Sequence, residues 1–337
     1  MKSEFVRVEK TVMHFEFERV LLKCGYSEPK AEKLSSVFTL NSLEGVYSHG
    51  VNRFPRFIRN TMDGLIITGA EPELINKAGC IEQWAGKHGP GPLNAEFATL
   101  RSMSLAEEST MGMVALSGTN HWMRAGAYGW LAARKGFVLI CWTNTCPNMP
   151  AWGGKDPKLG NNPLVIAVPY RKDAIVLDFA MSQYSYGKLE SYLKEGKQLP
   201  YPGGYDSHGT ITSDPAKILH SWRVLPAGYW KGSSLSLMLD ILATILTGGL
   251  SVHEIKSCET ETNISQVFIA INIRNLYNYP GIDDAINRII TDLHDSIPAE
   301  PGSKIRYPGE NIEQIRNENL ISGISVRKDV WERIKVL

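Results

Sequence analysis

Between Leu65 and Gly281, short apolar runs alternate with longer amphipathic segments, and the pattern on either side of that window is helical. This alternation restricts the possible folds more than any other feature of the chain. The apolar runs at 80–84, 112–117, 137–143, 163–168, 174–179 and 265–273 have strand length. The segments 91–107, 122–135, 182–195 and 233–248 are long enough to be helices. Strands interleaved with helices predict an α/β fold, a mixed β-sheet flanked by helices.

The two ends predict a second unit. Residues 10–41 read as two helices. In the first, Val12, Phe15, Leu21 and Cys24 fall near one face and Gly25 supplies the stop. In the second, Ser27 is the expected cap, Pro29 sits in the first turn, and Ala31, Leu34, Val37 and Phe38 follow. The tail from Gly281 is again helical, with a break at Pro308-Gly309. No internal repeat or low-complexity linker separates the parts. The expected organisation is a discontinuous, mainly helical domain of residues 1–72 with 281–337, and an α/β domain of residues 73–280.

Composition limits the partners. The 337 residues carry a net charge of +1, from 36 basic and 35 acidic side chains. That leaves no basic field for nucleic acid, so a small anion would have to be held by a local charge. No apolar stretch approaches the ~20 residues of a membrane span. The longest candidate, Leu235 to Leu246, is interrupted by Asp240. The N-terminal residues lack the apolar run of a signal peptide. The five cysteines, Cys24, Cys80, Cys141, Cys146 and Cys258, are spread and form no Cys-x-x-Cys pair, which reads as reduced thiols. A soluble cytoplasmic protein with neither membrane nor nucleic-acid partners is expected.

Four stretches could carry chemistry. Tyr47 to Ile58 reads Tyr-Ser-His-Gly-Val-Asn-Arg-Phe-Pro-Arg-Phe-Ile. Pro55 is costly inside a helix and harmless in its first turn. The next helix is therefore expected to be capped by Asn52 and to end near Gly64, with His49 just outside its N-terminus and Arg53 in its first turn. A histidine titrates near neutrality and can exchange a proton with a carbonyl oxygen, while an arginine grips a carboxylate through two parallel hydrogen bonds. A loop histidine and a solvated arginine would give the same sequence. Gly118 to Trp122 follows a strand, with Asn120 the expected cap of a helix and His121 in its first turn. Trp142-Thr143-Asn144 leads into a long loop rich in glycine and asparagine, through Asn148, Asn161 and Asn162, whose amides suit a polyol or a nucleotide. Gly228 to Ser234 precedes an apolar helix that Ser233 could cap.

Several signatures are missing. No Gly-x-Gly-x-x-Gly follows a strand, so a nicotinamide enzyme here would not use the Rossmann site. His-Glu-x-x-His and Gly-x-Ser-x-Gly are absent as well, which disfavours zinc-protease and serine-hydrolase readings.

Tyr47–Ile58, Asn-His-Trp-Met-Arg (120–124), Tyr-Gly-Trp (128–130), Cys-Trp-Thr-Asn (141–144), Tyr-Gly-Lys-Leu-Glu (186–190) and Gly-Tyr-Trp-Lys-Gly-Ser (228–233) together resemble the malate/L-lactate dehydrogenase family, which lacks a Rossmann fold. The resemblance runs from about Glu16 to the end of the chain. It implies a non-Rossmann nicotinamide-binding fold, a homodimer, and NAD(H) or NADP(H) bound near the subunit interface. It implies reduction of a sugar-derived 2-keto acid, with His49 as proton donor. Cofactor contacts would fall on Ala174, Ile175, Val176, Leu177, Asp178, Phe179 and Ala180, on Trp230 and Lys231, and on Gly309, Glu310 and Asn311. Chemistry and motif position suggest Arg53 as the carboxylate anchor, His121 and Asn144 as further substrate-pocket residues, and Asp178 as a ribose acceptor. The alternatives are a malate- or lactate-type 2-hydroxy-acid dehydrogenase and a non-catalytic sugar-acid sensor.

Overall fold

The computed structural model describes residues 4–255 and 260–337. Its longer strands are β1 (Phe5–Val8), β2 (Glu73–Ala78), β3 (Ile81–Ala85), β4 (Met111–Asn120), β5 (Phe137–Thr143), β6 (Leu164–Tyr170), β7 (Asp173–Phe179), β8 (Thr262–Asn272) and β9 (Ile324–Arg327). The helices are α1 (Lys10–Lys23), α2 (Glu28–Leu43), α3 (Phe54–Met62), α4 (Gly91–Ser109), α5 (Gly126–Ala133), α6 (Tyr186–Lys194), α7 (Pro215–Ser221), α8 (Trp230–Thr247), α9 (Ile282–His294), α10 (Ile312–Ser322) and α11 (Lys328–Lys335).

The apolar runs form a seven-stranded sheet in the order β2-β3-β4-β8-β5-β6-β7. β3 and β4 run parallel, and every other neighbouring pair in it is antiparallel. Successive side chains point to opposite faces of a strand, and both faces are covered. Val114, Cys141, Val165, Phe268 and Ala270 pack with Ala95, Ala98 and Tyr128 of α4 and α5. Met113, Ala115, Trp142 and Val267 face the other way, toward Leu239 and Ala243 of α8. Burial on both sides is why these strands read as continuous apolar runs.

A separate core joins the two ends of the chain. It draws on Val8, Met13, Phe17, Val20, Leu34, Phe38, Phe54 and Phe57 from one end and on Ile324, Val326, Val330, Trp331 and Ile334 from the other. β1 and β9 pair antiparallel, with Phe5 opposite Arg327 and Val8 opposite Ile324. α3 is seated by aromatic contacts. Phe54 stacks on Phe17 with ring centroids 4.2 Å apart and meets Phe38 edge-on at 5.1 Å. Such pairs contribute about 0.5–1.5 kcal/mol each beyond the area they bury.

Some expectations require correction. Val12 and Phe15 of α1 are exposed, and the buried face is Met13, Phe17, Val20 and Leu21. The segment expected to be helical from residue 122 becomes helix only at Gly126, and the one expected from 182 only at Tyr186. α8 starts at Trp230, so Ser233 lies inside its first turn and accepts a hydrogen bond from the Trp152 N–H at 3.0 Å instead of capping. Cys24, Cys80 and Cys141 are free, but Cys146 is disulfide-bonded, against the reading of five reduced thiols. Cys258 lies outside the described residues.

Candidate active site

His49 ends a single 3-10 turn, Tyr47–His49, laid against the C-terminal end of α2. Two α2 side chains hold it there. The Asn41 amide donates to the His49 carbonyl at 2.9 Å, and the Ser42 hydroxyl accepts from the Val51 N–H at 2.8 Å. Any side chain on Gly50 would collide with Ser42, so the glycine permits this close approach. The turn continues through hydrogen bonds from the Asn52 N–H to the Tyr47 carbonyl and from the Arg53 N–H to the Gly50 carbonyl. It delays the helix by one residue. Arg53, not Asn52, is the N-cap of α3, and Pro55 falls in the first turn as expected.

His121 arrives from the opposite side. β4 ends at Asn120, whose amide does not cap a helix. It ties down the carbonyls of Leu65, His88 and Gly89 at 3.3, 2.8 and 2.9 Å. His121 lies in the connection to α5, where its Nδ1 accepts from the Met123 N–H at 2.9 Å. The two histidine rings stack, with centroids 5.7 Å apart and planes 21° apart. Ser48 Oγ lies 3.0 Å from Nδ1 of His49. Arg53 Nη2 lies 3.5 Å from a Glu261 oxygen, and the same oxygen is 3.9 Å from Nε2 of His121.

This arrangement controls charge. Burial first, then the Arg53 and Arg124 guanidiniums, pull the His49 pKa down to about 4. Burial, Arg53 and His49 hold His121 well below the ordinary histidine range. Burial raises the Glu261 carboxyl, opposed by Arg53, Arg56 and a backbone hydrogen bond from Cys146. Both imidazoles are therefore neutral at pH 7 while the site is open, beside a fixed cation.

Arg124 escaped the reading of single residues. It is buried, pairs with the buried carboxylate of Glu44, and lies 4.6 Å from the centre of the Trp130 ring. The other Glu44 oxygen is held by Arg316 of α10, whose Nε donates at 3.0 Å. Glu261 was missed as well, because nothing in its local pattern sets it apart from an ordinary surface acid.

His49, Arg53 and His121 line one cleft of about 1030 Å³. Asn144 does not reach it. That side chain is fully buried under the loop, donating to Asp240 Oδ1 at 3.1 Å and to the Leu250 carbonyl at 2.7 Å, and accepting from the Ser265 N–H at 2.8 Å. The amide is fully used in joining β5, α8 and β8, so it is a structural tie and not a pocket residue.

Two of the three segments expected to touch a cofactor meet along the sheet edge. Ala174 to Phe179 lie in β7 and Ala180 follows, with Asp178 and Ala180 lining the cleft. Gly309, at φ +90°, packs against the backbone of Val176, whose N–H donates to the Pro308 carbonyl at 3.2 Å. Glu310 is held by His294 at 3.0 Å and by the Tyr307 N–H at 3.2 Å, and Asn311 sits at the N-cap position of α10 without a side-chain capping bond. The Ala227 N–H donates to the Met181 carbonyl at 2.8 Å, which carries Trp230 and Lys231 toward the end of β7, although neither lines the cleft. Asp178 accepts from the Gly126 N–H through one oxygen at 2.8 Å, leaving the other without a protein partner among the described residues. The cleft sits at the top of the range of small-molecule pockets, ~300–1,000 Å³. A bare acceptor in a cleft of that size fits a nucleotide ribose lying beside a small acid.

The α/β fold without a Rossmann turn and the desolvated histidine beside an arginine agree with an oxidoreductase, the class that comparison with known proteins gives. The sequence pattern of the malate/L-lactate dehydrogenase family matches residues 8–335, and the chain belongs to that family. It is 43% identical over 333 residues to 2,3-diketo-L-gulonate reductase of Pasteurella multocida, covering 98% of this chain and 100% of the relative. With the enzyme of the same name from Escherichia coli O6:K15:H31 it shares 43% identity over 322 residues, 95% of this chain and 97% of the relative. Among solved structures it is similar to sulfolactate dehydrogenase from Methanocaldococcus jannaschii, with a TM-score of 0.90 at 28% identity, over 98% of this chain and 95% of that one. Malate dehydrogenase from Pyrococcus horikoshii is also similar, with a TM-score of 0.88 at 26% identity, over 99% and 96%.

Proposed function

We propose that this oxidoreductase reduces a sugar-derived 2-keto acid with NAD(H) or NADP(H), converting 2,3-diketo-L-gulonate to 3-keto-L-gulonate. The observation that carries the reading is the meeting of His49, Arg53 and His121 in one cleft. The names of the full-length relatives support the substrate. A nicotinamide held by Ala174 to Ala180, Trp230, Lys231 and Gly309 to Asn311 would supply the hydride. Arg53 grips the carboxylate and so aims the adjacent carbonyl. The arriving anion offsets the Arg53 charge, His49 then holds a proton, and it delivers that proton to the carbonyl oxygen as negative charge develops there. His121, stacked on His49, fixes the ring plane. Asp178 accepts from the ribose, which favours NAD over its phosphorylated form.

The working unit is taken to be a homodimer. α8 supports this with an exposed apolar stripe of Leu237, Met238, Ile241 and Ile245.

The test is oxidation of NADH and NADPH, in parallel, over a panel of 2-keto acids that includes 2,3-diketo-L-gulonate and oxaloacetate. Preference for oxaloacetate would move the assignment to a malate-type enzyme, and inactivity with every acid would favour a sensor. His49→Ala is expected to cut kcat at least ~10²-fold with the cofactor still bound. Arg53→Ala is expected to raise KM for the acid alone. Near-normal turnover of His49→Ala removes His49 from the mechanism.

A further inference from the structure

The loop after β5 holds an unfinished hydrogen-bond pair. Asn148 is 7% exposed and lines the cleft, and its enclosed Oδ1 has no hydrogen-bond partner among the described residues. Buried acceptors are nearly always satisfied, so one left unpaired on a side chain that lines a cleft marks a place where a ligand completes the set once the side chain adjusts to it. The atom is not loosely placed. The Asn148 N–H donates to the Leu159 carbonyl at 3.0 Å, its carbonyl accepts from the Tyr186 hydroxyl at 2.8 Å, and its Nδ2 donates to Asn161 Oδ1 at 2.9 Å. Asn161 Oδ1 also accepts from the Thr145 hydroxyl at 3.1 Å. With its oxygen committed twice, Asn161, itself a cleft residue, has its Nδ2 left to donate among the described residues.

An open acceptor beside an open donor is the complement of a hydroxyl, which both gives and takes a hydrogen bond. The pair continues the wall that carries the arginine, because the Cys146 N–H donates to Glu261 and Glu261 faces Arg53. Tyr186, which fixes the Asn148 backbone, is stacked on Trp222 at 4.0 Å, and both rings border the cleft. Aromatic faces beside hydroxyl-binding amides suit a chain with C–H groups on one side and O–H groups on the other.

We propose that Asn148 and Asn161 form a subsite for the hydroxylated tail of the substrate, setting this enzyme's choice of polyhydroxy over short 2-keto acids. The inference rests on the reductase reading and deepens it. A site built to bond a hydroxyl discriminates strongly against analogues that lack one, because its own polar groups are then left unpaired.

The test uses the full-length enzyme and two variants, Asn148→Leu and the smaller change Asn148→Ser, with circular dichroism to confirm folding. Against 2,3-diketo-L-gulonate, kcat/KM is expected to fall at least ~10-fold. Against pyruvate, which has no hydroxylated tail, it should change less than about twofold, as should the dissociation constant of NADH read by fluorescence. Equal losses on both acids would make Asn148 merely structural and overturn the subsite. Weakened NADH binding would also overturn it, by giving the pair to the cofactor's carboxamide, and so would no loss at all. A second arm does not depend on turnover: calorimetry of L-gulonate against propionate, where Asn148→Leu should weaken L-gulonate at least ~10-fold and leave propionate unchanged. A wild-type enzyme inactive with every keto acid would strike the reductase reading, and this arm would still decide the subsite.

Discussion

His49 is the group whose chemistry is most exposed to test by pH. Its ring lies against His121 and faces the Arg53 and Arg124 guanidiniums, and burial with those charges holds its pKa at about 4 against an ordinary 6.5. At pH 7 only about one free-enzyme molecule in a thousand then carries the imidazolium, against about one in four for an unperturbed histidine. Ketone reduction needs that proton, so kcat/KM for reduction should fall about tenfold per pH unit between roughly pH 5 and 8. The oxidation direction needs the neutral ring, which is present throughout, and its kcat/KM should stay flat over the same range. Arg53→Gln removes the second-largest cause of the shift and leaves burial, the first. The His49 pKa in that variant should rise and stop short of 6.5. The assay is a pair of pH–rate profiles with an NMR titration of the His49 ring, assigned from its absence in His49→Gln. The sign carries over to stability. The unfolded chain binds the proton first, so this contribution is complete above about pH 6.5 and is lost as pH falls toward 4. A free-enzyme His49 that titrates at 6.5 or above, or a flat reduction profile, would refute the reasoning.

Three further outcomes follow from the packing. Glu44→Gln leaves the buried Arg124 without its counter-charge, and urea unfolding should show a loss of about 3–5 kcal/mol; a loss below about 1 kcal/mol would mean that the pair contributes little. Gly91→Ala puts a methyl group against the carbonyls of Asn120 and His121, so it should displace His121 and cost at least ~10-fold in kcat/KM with a lowered melting temperature; unchanged kinetics would show that His121 tolerates movement. Ile241→Asp on the exposed stripe of α8 should convert a dimer into monomers in sedimentation velocity, and a variant that stays dimeric would place the interface elsewhere.

The sheet was legible because burial writes itself into sequence. β5 occupies the residues expected of it, and β3, β4, β6, β7 and β8 lie within a few residues of their apolar runs. β2 was invisible for the converse reason: every one of its residues is exposed, so Glu73–Ala78 carries no alternation to find. β1 and β9 are four-residue strands whose partners lie at opposite ends of the chain, and no local window contains that pairing. In the site, residue chemistry and spacing marked His49, Arg53 and His121 only as candidates that a surface loop would explain equally well, and the family resemblance singled out His49; the fold brings all three to one cleft. Glu261 and the Arg124–Glu44–Arg316 cluster were not marked, because their roles come from being brought together from the residue before β8, the connection ahead of α5, the C-terminal cap of α2, and α10. Asn144 misled because a strand-end amide reads the same whether it faces a ligand or braces three elements from beneath.

The pairing of β1 with β9 also bears on how the enzyme comes into being. The turn that carries His49 rests on α2, and α2 rests on a core completed by Ile324, Val326, Val330, Trp331 and Ile334. During synthesis the segment bearing His49 leaves the ribosome early and must wait for nearly all the remaining residues before its support exists. Contacts between such distant segments close late and slowly. The sheet can assemble first, while the reactive turn stays unset on the nascent chain, so catalytic competence arrives as one of the last events of folding.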